Sequence, residues 1–147
     1  MEEKTILTEI RILSNLIRQK LWSNPQAKID GELIGGHGYI LKYLAENQEN
    51  GVFQRDIEKV FKIRRSTVTQ TLNRMEENGI VIRKSVEHDN RLKKIELTPK
   101  GRQIHLSFKT RAENFEKEVS KALTEKERQK FLDLVKKLQL KVEEQSL

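Results

Sequence analysis

The sequence predicts a mainly α-helical protein that carries one small β-hairpin, an α+β fold. Apolar residues recur at spacings of three and four over most of the chain, which is the period of one helix face. Between Ile80 and Leu97 the period changes to two, around the turn-forming residues His88-Asp89-Asn90. Two such runs around a short polar loop indicate a hairpin.

Two helices separated by a connector are predicted at the N-terminus. The first covers residues 3–23 and ends where Pro25 cannot continue the hydrogen-bond ladder. Residues 26–32 are polar and contain Gly31, a pattern typical of a connector. The second helix covers residues 33–47. The apolar residues expected on the inner faces of the two helices are Ile6, Ile10, Leu13, Ile17 and Leu21, then Ile40, Leu41 and Leu44.

A helix-turn-helix and a wing are predicted next, over residues 33–98. A short helix covers 56–61, and a longer one begins at Arg65 or at Ser66, whose hydroxyl makes a good N-cap. It ends at Gly79, which suits a left-handed C-cap. The hairpin then forms the wing. The residues of the longer helix that are expected to face inward are Val68, Leu72 and Met75.

Two long amphipathic helices are predicted after the wing. Thr98-Pro99 begins the first, and the capping box Thr124-Glu125-Lys126-Glu127 begins the second. A helix of about 24 residues is about 36 Å long and extends beyond a winged core of this size. The simplest partner for its apolar face is a second copy of the chain, with an intramolecular bundle as the alternative. The predicted division is 1–32 and 99–147 for dimerisation and 33–98 for the winged lobe. The apolar stripes are Ile104, Phe108, Ala112, Phe115, Val119 and Ala122, then Phe131, Leu134, Val135, Leu138 and Val142.

Composition excludes several classes of function. The 147 residues contain no cysteine, which excludes disulfides, thiol catalysis and zinc–thiolate sites. No apolar run approaches the ~18–20 residues of a membrane span, and the first ten residues do not form a secretory signal. We therefore expect a cytoplasmic protein with no membrane partner and no cofactor.

Positive charge is concentrated in the middle of the chain. Residues 54–102 hold thirteen basic and seven acidic side chains, whereas the other 98 residues hold sixteen and fifteen. Such a segregated patch is typical of a protein that binds a polyanion, although a solvated surface without a partner is the alternative.

The helix that begins at residue 65 or 66 has the pattern of a DNA-recognition helix. Such a helix shows short polar side chains to the major groove and packs its apolar face on a supporting helix. Gln can pair with adenine, and Thr can donate, accept or contact the thymine methyl. From the hairpin, Arg91 could enter a minor groove, oriented by Asp89, or it could be an unrelated surface residue. The candidate DNA-binding residues are Arg64, Arg65, Ser66, Thr67, Thr69, Gln70, Asn73, Arg74, Arg91 and Lys93.

The segments IRRSTVTQTLNRMEENGIVIRK at 63–84 and HDNRLKKIELTPKG at 88–101 resemble the MarR family of winged-helix transcriptional regulators. The second segment contains an Asp-x-Arg wing signature, Asp89-Asn90-Arg91, and a Leu-Thr-x-x-Gly helix start at Leu97–Gly101. The resemblance implies a homodimer whose two winged lobes bind half-sites of a palindromic operator in double-stranded DNA, acting as a repressor. It places Arg65 and Arg74 at the backbone, and Arg91 in the minor groove.

The resemblance also implies release of DNA by a small anionic or aromatic ligand, bound near Trp22, His37, Tyr39 and the start of the helix after the hairpin. Thiol sensing needs cysteine and is excluded, and the scattered histidines His37, His88 and His105 predict no metal site. The glycines at 35, 36 and 38 lack the ending of a phosphate loop. They indicate either a flexible pocket lining or close helix packing.

Two other functions remain beside a sequence-specific regulator. A nonspecific architectural DNA-binding protein would bind through phosphates alone and lose little affinity when the operator is scrambled. An enzyme would need a nucleophile–base pair or a carboxylate pair in a cleft. The adjacent Glu76 and Glu77 lie on different faces of a helix, so no enzyme is expected.

Overall fold

The computed structural model describes residues 4–34 and 37–146. It divides into two compact units, residues 1–111 and 112–147. None of the helices in the described ranges is long and apolar enough to cross a bilayer. The elements are α1 (Ile6–Leu21), α2 (Pro25–Leu33), α3 (Gly38–Glu46), β1 (Val52–Phe53), α4 (Gln54–Phe61), α5 (Arg65–Glu77), β2 (Val81–Val86), β3 (Asp89–Leu97), α6 (Pro99–Ser120) and α7 (Glu125–Glu143).

The prediction of a connector over residues 26–32 is wrong, because these residues form α2. Asn24 caps the helix, since its Oδ1 accepts a hydrogen bond from the backbone N–H of Ala27 (2.7 Å). Pro25 occupies the first turn, where its missing donor costs nothing, so it begins α2 as well as ending α1. The next helix, α3, begins at Gly38 rather than at residue 33.

The core of the first unit lies between α3, α4, α5 and a three-stranded sheet. The strand order is β1-β3-β2, all antiparallel, so β1 adds a strand that was not predicted. The inward stripes predicted for α3 and α5 are confirmed as buried. Core residues that are buried in the structure include Ile40, Leu41, Leu44, Ile57, Val68, Leu72, Met75 and Ile80.

The ends of α5 differ partly from the prediction. Of the two predicted starts, Arg65 is confirmed and Ser66 is wrong: the N-cap is Arg64, and no side chain caps the helix. Gly79 has a φ of +70°, which confirms the left-handed end. The wing turns at Glu87-His88, because Asp89 and Asn90 already belong to β3. The expected turn at His88-Asp89-Asn90 is therefore displaced by about one residue.

The start of α6 is fixed against the end of α5. Thr98 Oγ1 accepts from the backbone N–H of Gly101 (3.0 Å) and donates to the carbonyl of Gly79 (2.5 Å). Gly101 lies so close to the Ile80 carbonyl oxygen that an added Cβ would be 2.1 Å from it. The joint therefore holds α5, the hairpin and α6 in one arrangement within the first unit.

The predicted stripe of α6 is buried only at its beginning. Ile104 and Phe108 are buried in the first unit. In the second unit, Ala112 and Phe115 are half-buried, and Val119 and Ala122 are exposed. The capping box of α7 is confirmed, with Thr124 N donating to Glu127 Oε2 (2.7 Å) and Glu127 N donating to Thr124 Oγ1 (3.2 Å). No residue of α7 is buried within the single chain.

Candidate nucleic-acid interface

The outer face of α5 is polar and open. Ser66, Gln70 and Asn73 are exposed, and Thr67 and Thr69 are half-buried. These five side chains come from the first three turns of the helix, and they lie opposite the buried stripe of Val68, Leu72 and Met75. The backbone N–H groups of the first turn point out of the helix beside Arg64 and Arg65, which are both exposed. This end of the helix therefore combines a positive dipole end with two cations.

Two side chains from other elements contact the polar face of α5. Gln54, the first residue of α4, donates through Nε2 to Thr69 Oγ1 (2.8 Å) and to Glu58 Oε1 (3.0 Å). Arg83 of β2 donates to Asn73 Oδ1 (2.9 Å) and to Glu76 Oε2 (2.5 Å). Neither Gln54 nor Arg83 was predicted as a site residue. Their roles depend on contacts between elements.

A basic cleft lies between α4, the first turn of α5 and the wing. It encloses about 330 Å³. Four arginines and one lysine line it, against a single acidic side chain, Glu58. Such a concave positive surface is suited to the phosphate backbone of a nucleic acid. The residues of the cleft are Phe53, Gln54, Arg55, Glu58, Arg65, Arg83, Arg91, Leu92, Lys93 and Ile95.

The wing residues Arg91 and Lys93 are exposed and lie in the cleft lining. Asp89 Oδ1 accepts from the backbone N–H of Arg91 (2.8 Å), so this carboxylate fixes the backbone of the wing. Lys93 Nζ donates to Ser85 Oγ across the hairpin (2.5 Å), at paired positions of β2 and β3. The hairpin therefore carries two exposed cations, Arg91 and Lys93, on a backbone that these two hydrogen bonds stabilise.

Arg74 and the predicted ligand residue Trp22 line a different cavity, of about 640 Å³. Trp22 stacks on Phe108 with ring centroids 5.0 Å apart, and an added Cβ on Gly31 would meet the indole at 3.0 Å. The cavity is bounded by α1, α2 and the C-terminal half of α5. Its charged residues are Arg18, Lys28, Glu32 and Arg74, a net positive lining.

His37 and Tyr39, the other predicted ligand residues, lie in an aromatic cluster at α3 and α4. Their rings meet edge to face at 5.5 Å, and Tyr39 also contacts Phe61. Burial raises the pKa of the Tyr39 phenol above its ordinary value. His37 Nδ1 lies 3.5 Å from the hydroxyl of Thr71, a buried residue of α5. The structure thus places His37 against α5, Tyr39 against His37 and α4, and Trp22 in the separate cavity.

Of the three glycines in the Gly-rich segment, the structure describes Gly38. A Cβ there would lie 2.7 Å from the ring of Phe108, so Gly38 allows close helix packing. Gly35 and Gly36 lie outside the described residues. Over residues 4–34 and 37–146, no three His, Asp or Glu side chains are grouped so that they could hold a metal ion.

Comparison with known proteins identifies relatives of this chain. The family model described as MarR family matches residues 33–92. The chain is 31% identical over 87 residues to the uncharacterized HTH-type transcriptional regulator YdgJ of Bacillus subtilis (strain 168). That match covers 59% of this chain and 53% of the relative, so the chain spans about half the length of the curated relative it matches.

Solved structures show the same fold over nearly the whole chain. The complex of Staphylococcus aureus MepR with DNA is 25% identical, with a TM-score of 0.81, and the match covers 95% of this chain and 99% of MepR. The regulator MarR from Oenococcus oeni is also 25% identical, with a TM-score of 0.73 and coverages of 91% and 98%. In its winged helix, its basic cleft and its Asp-x-Arg wing, the chain is similar to regulators of the MarR family.

Proposed function

We propose that this protein is a sequence-specific, double-stranded DNA-binding transcriptional regulator that acts in the cytoplasm. The observation that carries the proposal is the position of the polar face of α5 beside a cleft lined by four arginines and a lysine. Base readout and phosphate binding need these two features side by side. The likeness to a MepR structure solved with DNA supports the same function.

In the proposed complex the N-terminal half of α5 enters the major groove. Ser66, Thr67, Thr69, Gln70 and Asn73 then face base edges. Arg64 and Arg65 neutralise phosphates at the helix start, and Arg55 and Lys93 do so along the cleft. Arg91 enters the adjacent minor groove, where the potential is most negative if the groove is narrow.

The exposed helix faces support the proposal of a homodimer, which would bind a palindromic operator. None of the sixteen residues of α1 is buried, and the apolar side chains of Ile6, Ile10 and Leu13 are each at least 46% exposed. In α7, Phe131, Leu134 and Val142 are at least 47% exposed. A second copy that covers these stripes would pair the two lobes by two-fold symmetry. A dimer that spans promoter DNA would exclude the polymerase, which makes repression the proposed direction.

A small anionic aromatic compound is the proposed effector, and the cavity beside Trp22 is its proposed site. The cavity is lined by the aromatic side chain of Trp22 and by three cations, Arg18, Lys28 and Arg74. Its lining also includes one acidic residue, Glu32. Because Arg74 belongs to the recognition helix, a ligand held there would act directly on the element that reads DNA. His37, which lies against the same helix, and Tyr39, whose ring packs on His37, are the second part of the proposed ligand region.

Selection of duplexes from a random pool tests the proposed function. We expect a palindrome whose half-site centres are about one helical turn apart, roughly 34 Å. The selected sequence should bind about a thousandfold more tightly than a scrambled duplex at physiological salt. Equal affinity for both duplexes would instead indicate the architectural protein, and binding of neither would overturn DNA binding altogether.

A further inference from the structure

Arg83 bridges two side chains of the recognition helix that lie one turn apart. Its guanidinium donates to Asn73 Oδ1 (2.9 Å) and to Glu76 Oε2 (2.5 Å). Arg83 is paired with Ile95 in the sheet, and its side chain is only 21% exposed. The guanidinium is therefore held by the strand, by the carboxylate and by the amide together.

This contact fixes the orientation of the Asn73 amide. A guanidinium carries only donors, so the oxygen of the amide, and not its nitrogen, must face Arg83. The nitrogen is on the other branch of the planar group and points away from the cation. Because Asn73 is exposed on the polar face of α5, its N–H donors are the groups that extend toward a duplex.

The orientation has a consequence for base recognition. An amide that reads adenine uses its oxygen to accept from N6 and its nitrogen to donate to N7. In this protein one lone pair of that oxygen accepts from Arg83, and the oxygen is therefore directed toward β2. Guanine presents two acceptors in the major groove, N7 and O6, which match the remaining donors.

We propose that Arg83 is a positioning residue that holds Asn73 as a hydrogen-bond donor, so that the recognition helix selects guanine over adenine at one base pair of each half-site. The proposal deepens the proposed function and rests on it, since it needs α5 to lie in the major groove. It assigns specificity to a strand residue that does not itself contact a base.

The test compares duplexes that differ at a single base pair. Asn73→Ala first identifies that pair, as the position of the selected site at which the variant loses its preference. At that position the unaltered protein should prefer guanine to adenine by about fivefold or more. Arg83→Met should reduce this ratio to about twofold or less, and the preferences at the other positions should stay in the same order.

A double variant separates positioning from general weakening. If Arg83 acts through Asn73, then adding Arg83→Met to Asn73→Ala should not change the base ratio further. Lys84→Met is the matched control, because it removes one positive charge from the same strand and its ion pair is with Glu96. It should leave the guanine-to-adenine ratio unchanged. If Arg83→Met fails to fold, Arg83→Lys keeps the charge with a single ammonium and should give an intermediate ratio.

Three results would overturn the inference while leaving sequence-specific binding intact. One is a preference for adenine at the position that Asn73 reads. Another is an equal loss of affinity for all duplexes on Arg83→Met, with the base ratio retained. The third is an additive effect of the two substitutions on that ratio. Absence of any base preference in the unaltered protein would overturn the proposed function, and the inference with it.

Discussion

Two side chains of the wing, Asp89 and Arg91, differ in what they contact within the chain. Asp89 uses its carboxylate on the backbone N–H of Arg91, whereas the Arg91 side chain is exposed in the basic cleft. In the Asp-x-Arg pair, Asp89 thus fixes the shape of the loop, whereas the exposed Arg91 side chain is the one proposed to enter a minor groove. Loss of the Arg91 side chain should therefore leave the fold unchanged.

Arg91→Ala should weaken DNA binding strongly and leave helicity and dimerisation unchanged. The physical reason is loss of one cation from the groove, which should also reduce the slope of log affinity against log salt by about one. Titrations of the selected duplex at several salt concentrations measure both effects. Lys42→Ala removes an exposed cation of α3 that is paired with Glu46, and serves as the control. Unchanged affinity of Arg91→Ala would remove the wing from the interface.

At the scale of elements, the joint between α5, β2 and α6 determines how the recognition helix is held. Two glycines make this joint possible for different reasons. Gly79 supplies the positive φ that ends α5, and a Cβ added there would meet no atom within 4 Å beyond its chain neighbours. Gly101 allows α6 to begin against the Ile80 carbonyl, where a side chain has no room.

Gly101→Ala should destabilise the protein more than Gly79→Ala. A Cβ at residue 101 would lie 2.1 Å from a backbone oxygen, so the helix start must move, at a cost of about 1–3 kcal/mol or more. Alanine at residue 79 costs only the strain of a left-handed conformation, about 1 kcal/mol. Thermal melts followed by circular dichroism compare the two variants. An equal or smaller loss for Gly101→Ala would contradict the described packing.

How far the sequence predicts each element depends on whether the signal is local. The stripe of α5, the left-handed Gly79 and the capping box of α7 are local patterns, and all three are confirmed. The sequence does not predict helix α2, because Asn24-Pro25 can end one helix and begin another. In addition, Asp30 and Gly31 interrupt the helical spacing of its apolar residues. Strand β1 has two residues, and it is defined by their pairing with Ile95 and Lys94 of β3.

The residues of the candidate site also differ in how far a local sequence pattern predicts them. A polar face on an amphipathic helix predicts Ser66, Thr69 and Gln70 from the sequence alone. Gln54 and Arg83 are distant from their partners Thr69 and Asn73 along the chain, and the contacts arise from tertiary packing. The sequence shows only that Arg83 is a charged residue on a predicted strand that follows this helix. It does not show that the partner of Arg83 is Asn73.

At the scale of the whole molecule, the exposed apolar faces of α1 and α7 dominate the expected behaviour in solution. Apolar surface of this extent is costly in water, at roughly 25 cal/mol for each Å² left exposed. Both helices also begin at a side-chain cap, Thr5 for α1 and Thr124 for α7. In the proposed homodimer, association with a second copy would cover these faces and set the spacing of the two lobes.

Leu13→Asp should convert the protein to a monomer. The change places a charge in the α1 stripe, where burial against a partner would desolvate it. Light scattering at micromolar concentration should give twice the chain mass of 17.3 kDa for the unaltered protein and the chain mass for the variant. Asn15→Asp introduces the same charge on the opposite face of α1 and should remain dimeric. A monomeric unaltered protein would contradict the dimer.

The stacking of Trp22 on Phe108 gives the molecule an internal optical reporter. Trp22 is the only tryptophan of the chain, so its emission comes from a single place. That place adjoins the cavity that holds Arg18 and Arg74, and Arg111 lies 5.8 Å from the indole. Quenching or a spectral shift of native emission can therefore follow occupancy of the cavity in real time, without any label.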